Sequence, residues 1–177
     1  MLDIDGQWAG ILEQSDAAAT LQLIRSIHPD TQRLVVISDR TDTGWAEERL
    51  ARVALGNMQE GPRIEYWNDL SIQELKRKLG GLVPGEDIVL LTAFNRDRKG
   101  EFLSVEESAQ MISGSSPVPV YCLWDFYLGN GVAGGHVVSS FHHGKKAGEL
   151  ALRILSGEQA STVGVSHQKL NISIVDY

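Results

Sequence analysis

The sequence predicts a three-layer αβα fold with a mostly parallel central sheet, of the flavodoxin or Rossmann type. Three observations carry this. Short runs rich in Val, Ile and Leu (LVVI at 34–37, DIVLLTA at 87–93) are apolar almost throughout rather than alternating, as in strands buried on both faces. Stretches of helical periodicity with start signals separate them, and such alternation implies a parallel sheet covered on both sides. The chain has 177 residues and is 42% hydrophobic, enough for one domain with a full core. In this architecture ligands bind at the carboxyl ends of the strands.

The elements follow in order. Residues 8–13 read as a short strand. Ser15 then caps a helix whose apolar positions Ala18, Leu21, Ile24 and Ile27 keep the helical period and which ends before Pro29. After the strand at 34–37, Asp42 or Thr43 starts a helix running to about Met58. RIEYW at 63–67 is the next strand. Ser71 and Glu74 form a capping box, opening a helix that ends near Gly80 and Gly81. The strand at 87–93 is followed by a loose loop, NRDRKGEF at 95–102. Ser104 and Glu107 form a second capping box, with a helix to about Ser113. Residues 118–124 read as a further strand.

Net charge is -7, which argues against a nucleic-acid partner, since such a partner needs a basic face. Lys76, Arg77 and Lys78 follow Glu74 at helical spacing and read as a solvated helix face. The single cysteine, Cys122, sits in an apolar run and reads as a small buried hydrophobe; an internal disulfide is impossible. No apolar run approaches the ~20 residues a membrane span requires.

The stretch GNGVAG at 129–134 matches G-x-G-x-x-G. A dinucleotide turn needs a helix to start at once, so that its amides meet the pyrophosphate. Here HVVSS at 136–140 reads as extended, and the helix begins only near Phe141 or His142. No cofactor is expected. The glycines are expected to serve a chain crossing that needs positive φ or close backbone approach. His142 and His143 are adjacent, so they point in different directions on a helix. They read as a surface pair rather than metal ligands.

The C-terminal segment GVAGGHVVSSFHHGKKAGELALRILSGEQASTVGV resembles the closing segment of periplasmic binding protein-like sensor domains. These in turn resemble ABC-transporter substrate-binding proteins of the tryptophan- and tyrosine-binding class. The resemblance rests on a glycine-rich crossing strand followed by G-x-x-A-x-x-x-A-x-x-I-L-x-G-E, here Gly144, Ala147, Ala151, Ile154, Leu155, Gly157 and Glu158. WAGILEQSDAAATLQLIRSIHPDTQRLVVISD, LLTAFNRDRKGEFLSVEES and PVYCLWDFYLGNG are similar to earlier parts of the same domain. The resemblance covers nearly the whole chain. It implies a periplasmic binding protein type I lobe from the sensor region of a bacterial signalling protein such as a histidine kinase or diguanylate cyclase. That implies extracytoplasmic placement, a small-solute ligand and an output signalling domain as partner. It also implies that residues 15–128 form the second of two lobes, with crossing strands at 6–13 and 132–140. A helix at 141–157 would pack on a first lobe, and a final strand would lie at 165–175. Without that lobe the exposed apolar faces favour a homodimer.

The expected site lies at the strand ends. Asp39, Arg40, Thr41 and Thr43 follow the strand at 34–37. Small hydroxyls beside a helix start suit an anion, or they serve as plain caps. Trp67 and Asn68 end the second strand. Phe94, Asn95 and Arg96 end the third. Trp124, Asp125 and Tyr127 end the fourth. Aromatic walls, a guanidinium and an acid suit an amino acid or other small aromatic solute. Trp124 and Tyr127 serve equally well as core or hinge packing, and Arg96 as a solvated side chain beside Arg98 and Lys99. The competing readings are a transporter-associated solute-binding protein fragment, a ligand-free dimerising domain, and a flavodoxin-like enzyme or phosphoreceiver using Asp39. The last lacks the receiver pattern of acids and lysine, and no nucleophile elbow or P-loop is present. No enzymatic activity is expected.

Overall fold

A computed structural model of the protein describes residues 8–176. The element order is β1 (Gly10–Ile11), α1 (Ala17–Ile27), β2 (Arg33–Ser38), α2 (Asp42–Gly56), β3 (Arg63–Trp67), α3 (Ile72–Leu79), β4 (Asp87–Ala93), α4 (Val105–Ser115), β5 (Val120–Cys122), β6 (Gly134–Val138), α5 (Ser140–Leu155), α6 (Ala160–Val163), β7 (Val165–Ser166) and β8 (Asn171–Val175). A 3-10 turn at Asp125–Tyr127 follows β5. The main sheet runs β3-β2-β4-β5-β6-β8, parallel except for β8. This is the three-layer αβα fold that the sequence predicts.

Residue parity shows why the strands are apolar throughout. Leu34 and Val36 of β2, with Ile88 and Leu90 of β4, face α1 and α2 through Leu21, Ile24, Ala51 and Leu55. Val35 and Ile37, with Val89 and Leu91, face the opposite layer through Leu75, Leu79, Ala109 and Ile112. Each strand therefore buries both faces, and alternation would leave a polar face in one core. Cys122 lies within the second layer's core, and burial pushes its thiol up to about 12.

The helix starts hold to within about one residue. Asp16, not Ser15, caps α1 and accepts from the Ala19 amide at 2.9 Å. Both capping boxes form, at Ser71 with Glu74 and at Ser104 with Glu107. Thr41 caps α2. At the amino-terminal edge Arg33 pairs with Asp87 at 2.8 and 2.5 Å, while Arg63 pairs with Glu65 at 2.9 Å. These acids let two arginines stand opposite one another in the β2–β3 register.

The glycine-rich stretch is a crossing, not a nucleotide turn. Gly129 and Gly131 take φ of 78° and 86°, and Gly134 opens β6 at 128°. A Cβ on Gly134 would lie 2.9 Å from the Ile174 carbonyl carbon, and one on Gly135 would lie 3.1 Å from that of Cys122. β6 runs between β5 and β8 at a distance only hydrogen atoms permit. α5 starts at Ser140, one residue before the expected Phe141 or His142, so the extended run ends earlier than predicted.

Three local expectations change. Only Gly10–Ile11 of the first predicted strand is a strand, and it pairs with β7 rather than with the main sheet; residues 6 and 7 lie outside the described residues. The predicted final strand at 165–175 is split into β7 and β8, which join different sheets. His143 is buried, its Nδ1 3.0 Å from the Ser139 carbonyl, while His142 stays exposed. The buried side of α5 thus starts one residue after His142.

α5 is the least covered helix of comparable length. Only His143 and Leu150 are buried on it, while Phe141 (73%), Leu152 (65%) and Leu155 (83%) are exposed. Among the described residues no helix is long and apolar enough to cross a membrane.

Candidate functional site

The chain order places a crevice before any side chain is considered. From β2 the chain moves outward to β3, then returns past β2 to β4, so the direction of winding reverses between β2 and β4. The loops that leave these strands diverge over opposite layers and open a crevice at their carboxyl ends.

Asp39 closes the floor of that crevice. It is 2% exposed, and its carboxylate accepts four hydrogen bonds. Oδ1 takes the Thr41 amide at 2.9 Å and the Thr41 hydroxyl at 2.5 Å. Oδ2 takes the amides of Asn95 at 2.7 Å and Arg96 at 3.0 Å. One side chain thus ties the loop after β2 to the loop after β4. Gly44 makes this possible, because a Cβ there would meet the Asp39 carbonyl oxygen at 2.5 Å.

The loop at 95–102 is organised rather than loose. Buried Asp97 accepts from the amides of Ile72 (3.0 Å), Lys99 (2.7 Å) and Glu101 (2.9 Å). Burial would raise its carboxyl, but the backbone donors Ile72, Glu101 and Lys99 outweigh that and hold it below the usual range. Arg96 and Phe102 bridge across the loop, and Leu103 donates to the Asn95 carbonyl at 2.9 Å.

Arg40, Thr41, Asp42, Asn95, Arg96 and Phe102 line a groove of about 370 Å³ over this floor. Arg40 pairs with Asp69 at 3.3 Å and lies 5.0 Å from the centre of the exposed Trp45 ring. Arg96 is exposed and makes no ion pair among the described residues. Thr43 is exposed in the first turn of α2. The groove therefore offers two guanidiniums, a helix start and the Phe102 ring, with the Asp42 carboxylate beside them. Its chemistry suits a small anionic or zwitterionic group next to an apolar one.

The other expected residues are used differently. Trp67, Phe94 and Tyr127 are buried in the core, at 7%, 1% and 1% exposure, and do not reach the groove. Trp67 falls on the inward face of β3, with Lys78 4.2 Å above its ring. Burial pushes the Tyr127 hydroxyl up. The Asn68 side-chain amide donates to both oxygens of Glu48, at 2.9 and 2.8 Å. Ser38 and Arg52 complete that cage at 2.6 and 2.8 Å, so burial of Glu48 is outweighed and its carboxyl stays below the usual range. Asp125 accepts from the Ser140 amide (2.6 Å) and hydroxyl (2.7 Å), which fixes the start of α5. Trp124 is half-buried, stacked on Phe126 at 5.6 Å and bridged to Val138. Sequence reasoning missed Asp42 and Phe102 as lining residues. Phe102 carried a signal, as a lone aromatic in a polar loop at a strand end.

No family profile matches the chain, and no curated protein matches it. The fold itself is shared with solved structures. The protein has a periplasmic binding protein-like fold. It is similar to the ligand-free, open structure of CD0873, a substrate binding protein with adhesive properties from Clostridium difficile (TM-score 0.69, 18% identity), over 95% of this chain and 55% of that one. It is similar to the ABC domain in complex with L-Trp from Streptococcus pneumonia (0.64, 14%), over 95% and 56%. A conserved domain protein from Vibrio cholerae also matches (0.65, 13%), over 94% and 54%. The chain spans about half the length of each of these structures.

Proposed function

We propose that the chain is the second lobe of a solute-binding protein, and that the groove over Asp39 is its half of a ligand cleft. The observation that carries this is the four-bond tie through Asp39, which holds Arg96 and the start of α2 together at the reversal of winding. The ligand is a small solute with an anionic end, an amino acid or aromatic acid in the simplest reading, received by Arg96, Arg40, Thr41, Thr43 and Asn95. Phe102 supplies the apolar side. The role is non-catalytic. The exposed face of α5 supports a further part of the reading, that this helix packs on a first lobe which closes over the solute. The resemblance read from the sequence favours an extracytoplasmic sensor that passes closure to an output domain. The similarity to a substrate binding protein and to an ABC domain favours, as a second reading, a transporter-associated binding protein.

A thermal-shift screen of amino acids, aromatic acids and other small organic acids tests this, on the chain alone and on a version extended upstream. A solute at ~100 times its dissociation constant stabilises by about 2.7 kcal/mol. For a domain of this size that is a rise of roughly 5–11 °C. A response that R96A abolishes supports the reading. Silence of both versions across the whole screen overturns it.

A further inference from the structure

The two edges of the main sheet are built differently. β3 closes one edge and carries charge: Glu65 pairs with Arg63 at 2.9 Å and with Arg33 at 3.6 Å. Charged side chains on an edge strand discourage a further strand from adding there. β8 closes the other edge with Asn171, Ile172, Ser173, Ile174 and Val175. It holds no charge, no proline and no glycine, and its isoleucines and valine favour extended chain. It pairs with β6 residue for residue without a bulge, and no described strand lies beyond it. None of the usual devices that blunt an edge is present on it.

Backbone groups in an antiparallel strand point alternately to its two sides. The Asp176 N–H donates to the Ala133 carbonyl at 2.9 Å, toward β6. Ile172 and Ile174 therefore also direct their backbone groups to β6, and those of Asn171, Ser173 and Val175 point out along the open edge. Side chains alternate across the two faces. Ile172 and Ile174 pack against the core that α3 and α4 cover. Ser173 is exposed on the other face, its hydroxyl 2.9 Å from His136 Nδ1.

We propose that β8 is the docking edge for a second copy of this chain, paired antiparallel about a two-fold axis at Ser173. The strand is its own complement in that register. Asn171 falls opposite Val175 and Ser173 opposite itself, so the outward N–H and C=O groups all meet partners, and each pair exchanges both of its bonds. Ile172 falls opposite Ile174 in the closer, non-hydrogen-bonded spacing, which carries the apolar face across the axis. The ends of the strand bear opposite charge. Lys169 precedes it, with a side chain 64% exposed and 2.8 Å from Asp16. Asp176 follows it, exposed and without an ion pair among the described residues. The antiparallel register sets Leu170 opposite Asp176 and so brings each Asp176 carboxylate beside a Lys169; a parallel copy would set like charge by like. The contact is isologous and closed, with no free edge left to propagate. β4, β5 and β6 lie between β8 and β2, which carries the Asp39 loop, so the inference stands apart from the solute-binding reading.

A single strand pair is a small interface, so the dimer is weak, and the test is sedimentation of the full chain from about 10 μM to about 1 mM. The variants are S173K, which sets two like charges directly opposite at the axis, and L155E, which charges the exposed face of α5 instead. Expected is an average mass that rises with concentration from the 19.4 kDa of one chain toward twice that, rises equally in L155E, and stays monomeric in S173K. A protein monomeric throughout overturns the proposal. So does a dimer that S173K keeps, or one that L155E loses, since the α5 face would then be the contact. Should S173K not fold, amide exchange in the unaltered protein decides. Exchange at Asn171, Ser173 and Val175 that slows as concentration rises supports the edge pairing, and exchange there that ignores concentration overturns it. No solute is needed, so a blank solute screen beside a concentration-dependent dimer removes the solute reading and leaves the edge pairing.

Discussion

Asp39→Asn is the sharpest probe of the crevice floor. The carboxylate accepts two bonds on each oxygen, from Thr41 on one and from the Asn95 and Arg96 amides on the other. An asparagine keeps one accepting oxygen and replaces the other with a donor. Whichever way the amide turns, donors face donors on one side. The cheaper arrangement turns the NH₂ toward Thr41, whose hydroxyl can reverse and accept. One backbone amide then remains unmet, and two contacts lose their charge assistance. An orphaned buried donor costs about 1–3 kcal/mol, and a bond to a charged group contributes about 1.5–3. Relaxation of the half-exposed loops offsets part of this, so the expected loss is about 2–4 kcal/mol. Urea denaturation reads it as a lower midpoint at unchanged slope. For a domain of this size the melting temperature falls by roughly 4–16 °C. Amide exchange at Asn95 and Arg96 should quicken in the same variant. A D39N protein within ~0.5 kcal/mol of the original, the range of ordinary surface substitutions, would refute the reasoning. The carboxylate would then not be what ties the two loops.

Two further outcomes follow from the same geometry. Gly44→Ala forces a Cβ to within 2.5 Å of the Asp39 carbonyl oxygen, so the start of α2 or the loop must move. A loss of about 1–3 kcal/mol is expected, and the double variant with D39N should lose less than the sum, measured as a coupling in urea midpoints. At the opposite edge of the sheet, Arg33 is the main cause that holds the Asp87 carboxyl below 3.8, with burial opposing it and the Val83 amide helping. Its contribution to stability is present above the unfolded value and is lost as pH falls through the lower folded one. D87N should therefore unfold about 1–3 kcal/mol more easily near neutral pH and show a shallower loss of stability on acidification. An acid limb unchanged by the substitution would count against the pair.

Periodicity, caps and parity are local signals, and they determined most of what the sequence alone determines here. The uniform apolar runs at 34–37 and 87–93 require two covered faces. The serine–glutamate spacings at 71 and 104 close their own hydrogen bonds within one turn. The misfit of GNGVAG with a nucleotide turn follows from the extended residues after it. Tertiary structure decided the rest, because the deciding partners are remote in sequence. Asp39 reads as a strand-end acid free for a ligand until Asn95 and Arg96 arrive beside it, over fifty residues later. Trp67 and Phe94 read as aromatic cleft walls and Tyr127 as wall or packing alike, and only the strand and turn orientation turns all three inward. Asn68 meets Glu48 twenty residues back. Glu47 and Glu48 are chemically identical neighbours, and a turn of about 100° around α2 gives one a cage of donors and leaves an oxygen of the other buried without a hydrogen-bond partner.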